Sequence, residues 1–198
     1  MKYAIFGGSF DPIHRGHVRM ADAAVKELSL DKLYFMPNYV SPFKLDQKVT
    51  PPDDRVEMIK TVLDYNDAFE ISEYEIRREE PSYTIETLEY FTEAYGEGLH
   101  FVLGYDSVMT IDKWYRGKEI LSRYPLITAR RPGTSDDECS AKIEEYRNLY
   151  NADITILELE PFEAASSDIR KMAANGEPID RYVLPGVEEY IKLHEIYR

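Results

Sequence analysis

Apolar and polar positions alternate along this chain in a way that divides it into short strands and amphipathic helices. Tyr3-Ala4-Ile5-Phe6 form an unbroken apolar run and predict a short buried strand. Gly7 and Gly8 break it, and as glycines they open backbone geometry that other residues avoid. From His14 the period changes: His14, His17, Val18, Ala21, Ala24, Val25 and Leu28 fall on one helical stripe. Residues 32–36 read as a second strand, followed by a long loop over 37–44 that Pro37 and Pro42 stiffen. Pro51, Pro52 and Asp53 start a helix carrying Val56, Ile59 and Leu63. Residues 69–72 read as a strand. Tyr74 and Ile76 then alternate with Glu73, Glu75 and Arg77, which predicts an exposed or edge strand. Ser82 or Thr84 caps a helix built on Ile85, Leu88, Phe91 and Tyr95.

The second half continues the alternation. Leu99-His100-Phe101-Val102-Leu103 is a strand ended by Gly104, with Asp106 beyond its carboxyl end and Trp114 a few residues on. Residues 126–129 form another, running into Arg130-Arg131-Pro132-Gly133. The charged stretch 136–148, with Ile143 as its clearest apolar position, predicts a surface helix. Residues 154–159 read as the last strand. Ser166-Ser167-Asp168-Ile169-Arg170 reads as a serine-capped helix start, closed by Asn175-Gly176. Pro185 introduces a final amphipathic helix carrying Val187, Tyr190, Ile191, His194 and Tyr197.

Strands alternating with helices point to the α/β class: a Rossmann-like doubly wound parallel sheet, helices on both faces, and a small helical portion over about 160–198. No internal repeat appears, so 1–198 is expected to be one domain. Ligands of such sheets bind beyond the carboxyl ends of the strands. The residues with the most chemistry fall there: 8–17, the 37–44 loop, Asp106, Arg131 and 166–170.

Composition narrows the function. Hydrophobic residues make up 43% of the chain, enough for a proper core. No apolar run approaches the ~20 residues of a membrane span, and the first residues lack a signal-peptide pattern. The single cysteine, Cys139, excludes an internal disulfide and fits a reducing compartment, so a cytoplasmic setting is expected. The net charge is −13, from 24 basic and 37 acidic residues. That argues against general nucleic-acid binding but leaves room for a small anion held by local cations. Lys44, Arg130-Arg131 and Arg170-Lys171 are the candidates.

The turn after the first strand is where such an anion would sit. Amides of the turn and of the first helical turn have no helical partners, and the helix dipole adds positive charge there. His14 and His17, three residues apart, face the same spot. Gly16 costs that helix about 1 kcal/mol against alanine, which implies a close approach. Alternatives are a structural turn with two satisfied histidines, or a zinc pair, for which no third ligand is evident. No serine, cysteine or lysine has a plausible activating base, so no covalent intermediate is expected.

Gly7, Ser9, Phe10, Asp11, Pro12, His14, Gly16 and His17 match the signature Gly-[Gly-Ser/Thr]-Phe-Asp-Pro-x-His-x-Gly-His, so the chain resembles the nucleotidyltransferase superfamily. Within it, nearly the whole chain resembles bacterial nicotinate-nucleotide adenylyltransferases. The resemblance rests on Ser41-Pro42-Phe43-Lys44, on residues 54–59, and on Pro81-Ser82-Tyr83-Thr84-Ile85-Glu86-Thr87-Leu88. It also rests on Gly104-Tyr105-Asp106 with Trp114, on Arg131-Pro132-Gly133, on 166–170, and on the Tyr190-Ile191-x-x-His194-x-x-Tyr197 tail. Two departures are Ala164-Ala165 before Ser166-Ser167, and Ser167 where threonine is usual.

The resemblance implies adenylyl transfer from ATP to nicotinate mononucleotide, giving deamido-NAD and pyrophosphate by direct in-line attack, with Mg²⁺ carried by ATP and no protein-held metal. It implies catalytic roles for His14, His17, Arg170 and Lys44. ATP would lie on Gly7, Gly8, Ser9, Phe10, His17, Ser166, Ser167, Ile169 and Arg170. Nicotinate mononucleotide would lie on Lys44, Thr84, Tyr105, Asp106, Trp114 and Arg131. On the residues alone, Trp114 reads equally as a core tryptophan and Asp106 as a helix cap. A homo-oligomer stays open. The rivals are a transferase of the same fold with another acceptor, against which residues 83–88, Trp114 and the tail speak, and a nucleotide sensor, in which the histidine motif would be broken.

Overall fold

A computed structural model describes residues 1–42, 49–129, 136–160, 162 and 164–198. Six strands form one sheet: β1 (Tyr3–Gly8), β2 (Lys32–Pro37), β3 (Phe69–Ile71), β4 (Leu99–Val102), β5 (Leu126–Ala129) and β6 (Ile154–Leu157). Their spatial order is β3-β2-β1-β4-β5-β6, and all neighbours are parallel. Tyr3 stands opposite Lys32 on one side and Leu99 on the other. The expected doubly wound sheet is therefore present, with the order reversing between β1 and β4.

Helices cover both faces, as the continuous burial of Tyr3–Phe6 in β1 demands. Ala4 and Phe6 of β1 point to one face. They pack there with α1 (Arg15–Leu28), α2 (Pro52–Lys60), α8 (Ser166–Ala174) and α9 (Pro185–Leu193) through Val18, Met58, Ile59, Ile169, Val187 and Ile191. Tyr3 and Ile5 point to the other face. They meet α4 (Thr84–Tyr95), α5 (Tyr105–Val108), α6 (Gly117–Arg123) and α7 (Asp136–Tyr150) through Leu88, Phe91, Val108, Ile120, Ile143 and Tyr146. Ile143 and Tyr146 are what fasten the otherwise charged α7 to the sheet. The helices α8 and α9 share the first core, so the C-terminal helical portion is part of the layer and not an appendage.

Several local expectations are corrected. β1 does not stop at Phe6; Gly7 and Gly8 pair with Met36 and Pro37. Neither glycine has a positive φ. The left-handed residue of the turn is Phe10, at φ 47. The glycines serve close packing instead: a Cβ at Gly7 would lie 3.1 Å from the Phe101 ring, and one at Gly8 3.1 Å from the Phe10 ring. Tyr74–Arg77 is not a strand but a short helix, α3. Ser72 Oγ accepts from the Tyr74 amide, and adjacent residues Glu75 and Ile76 are both buried, unlike the alternation of an exposed or edge strand. Neither Ser82 nor Thr84 caps α4; the cap position is Tyr83, and Ser82 Oγ accepts from the Tyr39 amide. The serines do not cap α8 either. Ala165 occupies that position, and its amide donates to the Asp168 carboxylate. Leu63 lies in a separate 3₁₀ turn beyond α2, and α9 ends at Leu193, leaving Tyr197 outside it. The last strand likewise stops at Leu157, short of residue 159. The helix α6, between Trp114 and β5, was not anticipated.

Candidate functional site

A cleft of about 800 Å³ opens where the strand order reverses, beyond the carboxyl ends of β1 and β4. One wall is Gly7, Gly8, Ser9, His14, Gly16 and His17. Ser166, Ser167 and Arg170 close one end, and Thr84, Tyr105, Asp106 and Trp114 line the other. Most residues singled out in the sequence are thereby brought together. The side chains of Phe10 and Ile169 are instead in the core, 2% and 0% exposed, so only their backbone is available to a ligand. Lys44 and Arg131 lie outside the described residues.

The histidines do more than share a helix face. His14 is the N-cap of α1: its Nδ1 accepts from the His17 amide at 3.4 Å, and His17 Nδ1 accepts from the His14 amide at 3.3 Å. This is a capping box made of imidazoles. Because both Nδ1 atoms accept, the neutral rings carry their proton on Nε2. The rings stack 3.7 Å apart, with Phe162 stacked on His14 at 5.1 Å. Phe162 also explains Gly16: a Cβ there would lie 2.6 Å from the Phe162 ring. Burial pushes the His14 pKa down to about 4 and holds His17 well below the usual imidazole range, with repulsion from His14 adding to the latter. The pair therefore meets a ligand at neutral pH as two uncharged N–H donors.

Behind the turn lies a buried polar network. Arg55, fully buried in α2, donates to the carbonyls of Ser9 (2.8 Å), Thr50 (3.0 Å) and Tyr39 (3.1 Å), tying the β1 turn to the loop after β2. Burial lowers its pKa, and the nearby Asp11 carboxylate opposes that shift. Asp11 accepts from the Tyr197 hydroxyl at 2.7 Å and from the Thr50 amide at 3.3 Å. Arg170 donates to the Asp11 carbonyl at 2.7 Å, and Ser166 Oγ to the Pro12 carbonyl at 3.0 Å. Thus α8 and the C-terminal tail both brace the turn that leads into the histidines.

At the other end, Trp114 is half-buried, lines the cleft and packs against the second core. Asp106 is exposed on α5, whose N-cap is Gly104, so it is not a cap. Among the described residues no group of three or more histidine, cysteine, aspartate or glutamate side chains could hold a metal ion. No helix among them is long and apolar enough to cross a membrane.

Residues 5–172 match the cytidylyltransferase-like family model. A chain from Caldicellulosiruptor bescii, described as a probable nicotinate-nucleotide adenylyltransferase, is 40% identical over 100% of both chains. Its counterpart from Caldicellulosiruptor saccharolyticus is 39% identical, again over 100% of both. The chain belongs to the nicotinate-nucleotide adenylyltransferase family. Among solved structures, nicotinic acid mononucleotide adenylyltransferase of Plasmodium falciparum, complexed with APC, superposes with a TM-score of 0.81. It covers 99% of this chain and 96% of its own at 18% identity, a likeness of fold. The same enzyme complexed with NaAD gives the same score.

Three working parts of this family member escaped the sequence reading. Asp11 was visible only as a motif letter and Tyr197 as a motif letter and a helix position, with no sign that they bond each other. Arg55 had one usable signal: a cation between Pro52 and the apolar positions Val56, Met58 and Ile59, on the side of the helix that has to face inward. Glu75 lines the cleft and was read as a solvent-facing strand position.

Proposed function

We propose that this family member transfers the adenylyl group of ATP to nicotinate mononucleotide, forming deamido-NAD and pyrophosphate. The observation that carries the reading is the pair of neutral, mutually capped histidines on the phosphate wall of a cleft at the strand-order reversal. The triphosphate lies along the turn of residues 8–10 and the start of α1, where the helix dipole favours an anion. The amides of His14, Arg15 and His17 are already bonded to His17 Nδ1, the Tyr182 carbonyl and His14 Nδ1, so the ring Nε2 groups, not those amides, face the phosphates. A phosphate oxygen of the mononucleotide attacks the α-phosphorus in line. The bond to the β-phosphate breaks, and its electron pair leaves with pyrophosphate.

His14 and His17 donate from Nε2 to phosphate oxygens, and those bonds strengthen as charge grows in the transition state. The Nδ1 bonds that fix the tautomer leave both Nε2–H groups available as donors. Arg170 and the N-terminus of α8 hold the outer phosphates; one of the five guanidinium donors already fixes the Asp11 carbonyl. Mg²⁺ enters with ATP as part of the substrate, its other ligands water. Trp114 stacks on the pyridine ring, Asp106 takes a ribose hydroxyl, and Thr84 with the backbone near Tyr105 holds the nicotinate end. Lys44 and Arg131 are assigned to the mononucleotide on resemblance alone. The sole cysteine supports a cytoplasmic setting.

Pyrophosphate release from MgATP tests the reading, with nicotinate mononucleotide, nicotinamide mononucleotide and pantetheine phosphate compared as acceptors. Strong preference for the acid is expected. Equal use of acid and amide would widen the substrate class, and release only with pantetheine phosphate would move the activity elsewhere in the superfamily.

A further inference from the structure

The cleft wall contains a buried acid that the proposed chemistry does not use. Glu75 is the second residue of the short helix α3, immediately beyond β3, and is only 8% exposed. Its carboxylate accepts from Thr87 Oγ1 of α4 at 2.6 Å and also from the Ser82 hydroxyl. Thr87 is itself 2% exposed. Ser82 Oγ in turn accepts from the Tyr39 amide at 3.2 Å, and the Tyr39 carbonyl accepts from Arg55. One carboxylate thus joins the start of α4 to the loop after β2. Between its two hydroxyl partners stands Thr84, with Tyr83, Trp114 and Tyr115 around the same part of the cleft.

Placing an acid there is expensive. Burial pushes the Glu75 carboxyl above the usual carboxylate range, and Arg78, the charged group that opposes the shift, is engaged with Glu86 and Glu80 at the surface. An apolar side chain at residue 75 would fill the space without that desolvation cost. It could not hold two hydroxyls from one segment at fixed positions.

We propose that Glu75 is a positioning residue for the mononucleotide: it fixes residues 82–87 so that Thr84 and the adjoining backbone are preorganised for the nicotinate end. This rests on the reading above of which end of the cleft takes the mononucleotide.

The test is the KM for each substrate in Glu75→Ala and Glu75→Gln, with thermal melting as a check on folding. Glu75→Ala is expected to raise the KM for nicotinate mononucleotide about tenfold, as loss of charge-assisted hydrogen bonds implies, with the KM for ATP within about twofold. Glu75→Gln, which keeps an acceptor oxygen and the shape, is expected to recover most of the loss. Should Glu75→Ala fail to fold, Thr87→Val removes the donor from the other side and is expected to show the same split. Equal rises in both KM values, or no rise in either, would overturn the proposal and leave Glu75 a core acid. Failure of the functional reading looks different: the unaltered protein would then release no pyrophosphate with nicotinate mononucleotide.

Discussion

The two ends of the cleft are built on different plans. The end proposed for the phosphates is continuous in sequence: Gly7 to His17 supply a strand end, a turn and a helix start, and the histidines cap each other. Arg55, Ser166 and Tyr197 brace that turn, and Arg170 both braces it and lines the cleft. The end proposed for the mononucleotide is assembled from side chains on separate segments: Glu75, Thr84 and Thr87, Asp106, and Trp114. On the proposed function, the difference follows from the ligands. A triphosphate is recognised by amides and dipoles, which one turn can supply. A flat ring and a sugar need surfaces and hydroxyl partners on several sides, which only separated segments provide.

The contrast breaks most sharply at His17. On the proposed function, replacing it with alanine removes a transition-state donor, and kcat is expected to fall about 10²–10³-fold. The same change removes half of the capping box, costing about 1 kcal/mol of stability. Steady-state kinetics beside a urea melt separates the two, and a variant with near-normal kcat would remove His17 from the chemistry.

Acid separates the ends by sign. His14 falls from 6.5 to about 4 on folding. Between those pH values the unfolded chain binds the extra proton, so its contribution to stability rises with pH and is lost on acidification, by about 3 kcal/mol in full. Glu75, shifted up, works the other way: its cost appears as pH rises above its ordinary value of 4.5. Urea midpoints at pH 7 and pH 4.5 should draw together in His14→Asn relative to the unaltered protein, and an unchanged gap would deny the burial effect.

Tyr197→Phe probes the bracing. Loss of its 2.7 Å bond leaves the buried Asp11 carboxylate short of a donor, at a cost of about 1–3 kcal/mol. The KM for ATP is expected to rise more than that for the mononucleotide, the reverse of the Glu75 pattern. The smallest effect is expected for Trp114→Ala. Loss of ring stacking is worth about 1 kcal/mol, so the KM for the mononucleotide should rise about fivefold, with that for ATP unchanged. A large drop in melting temperature with equal KM changes would make Trp114 a core residue.

The periodicity of the chain by itself determined the α/β class and located the six strands, while adding a seventh over 73–77 that is a helix, because such a pattern depends on residues two to four positions apart. The motif from Gly7 to His17 was legible for the same reason: an anion site built on one strand–turn–helix is local. Where local pattern misled, a tertiary partner decided the outcome. Phe10, not a glycine, takes the left-handed turn position, its ring held edge-on to Phe6 and Phe35. Glu75 alternates like a strand residue yet is buried on a helix, because Thr87 waits for its carboxylate. Only the assembled structure could join Tyr197 to Asp11, 186 positions apart, or Arg55 to three carbonyls. A buried polar group must find its partner wherever the fold brings one, and sequence spacing carries no record of that distance.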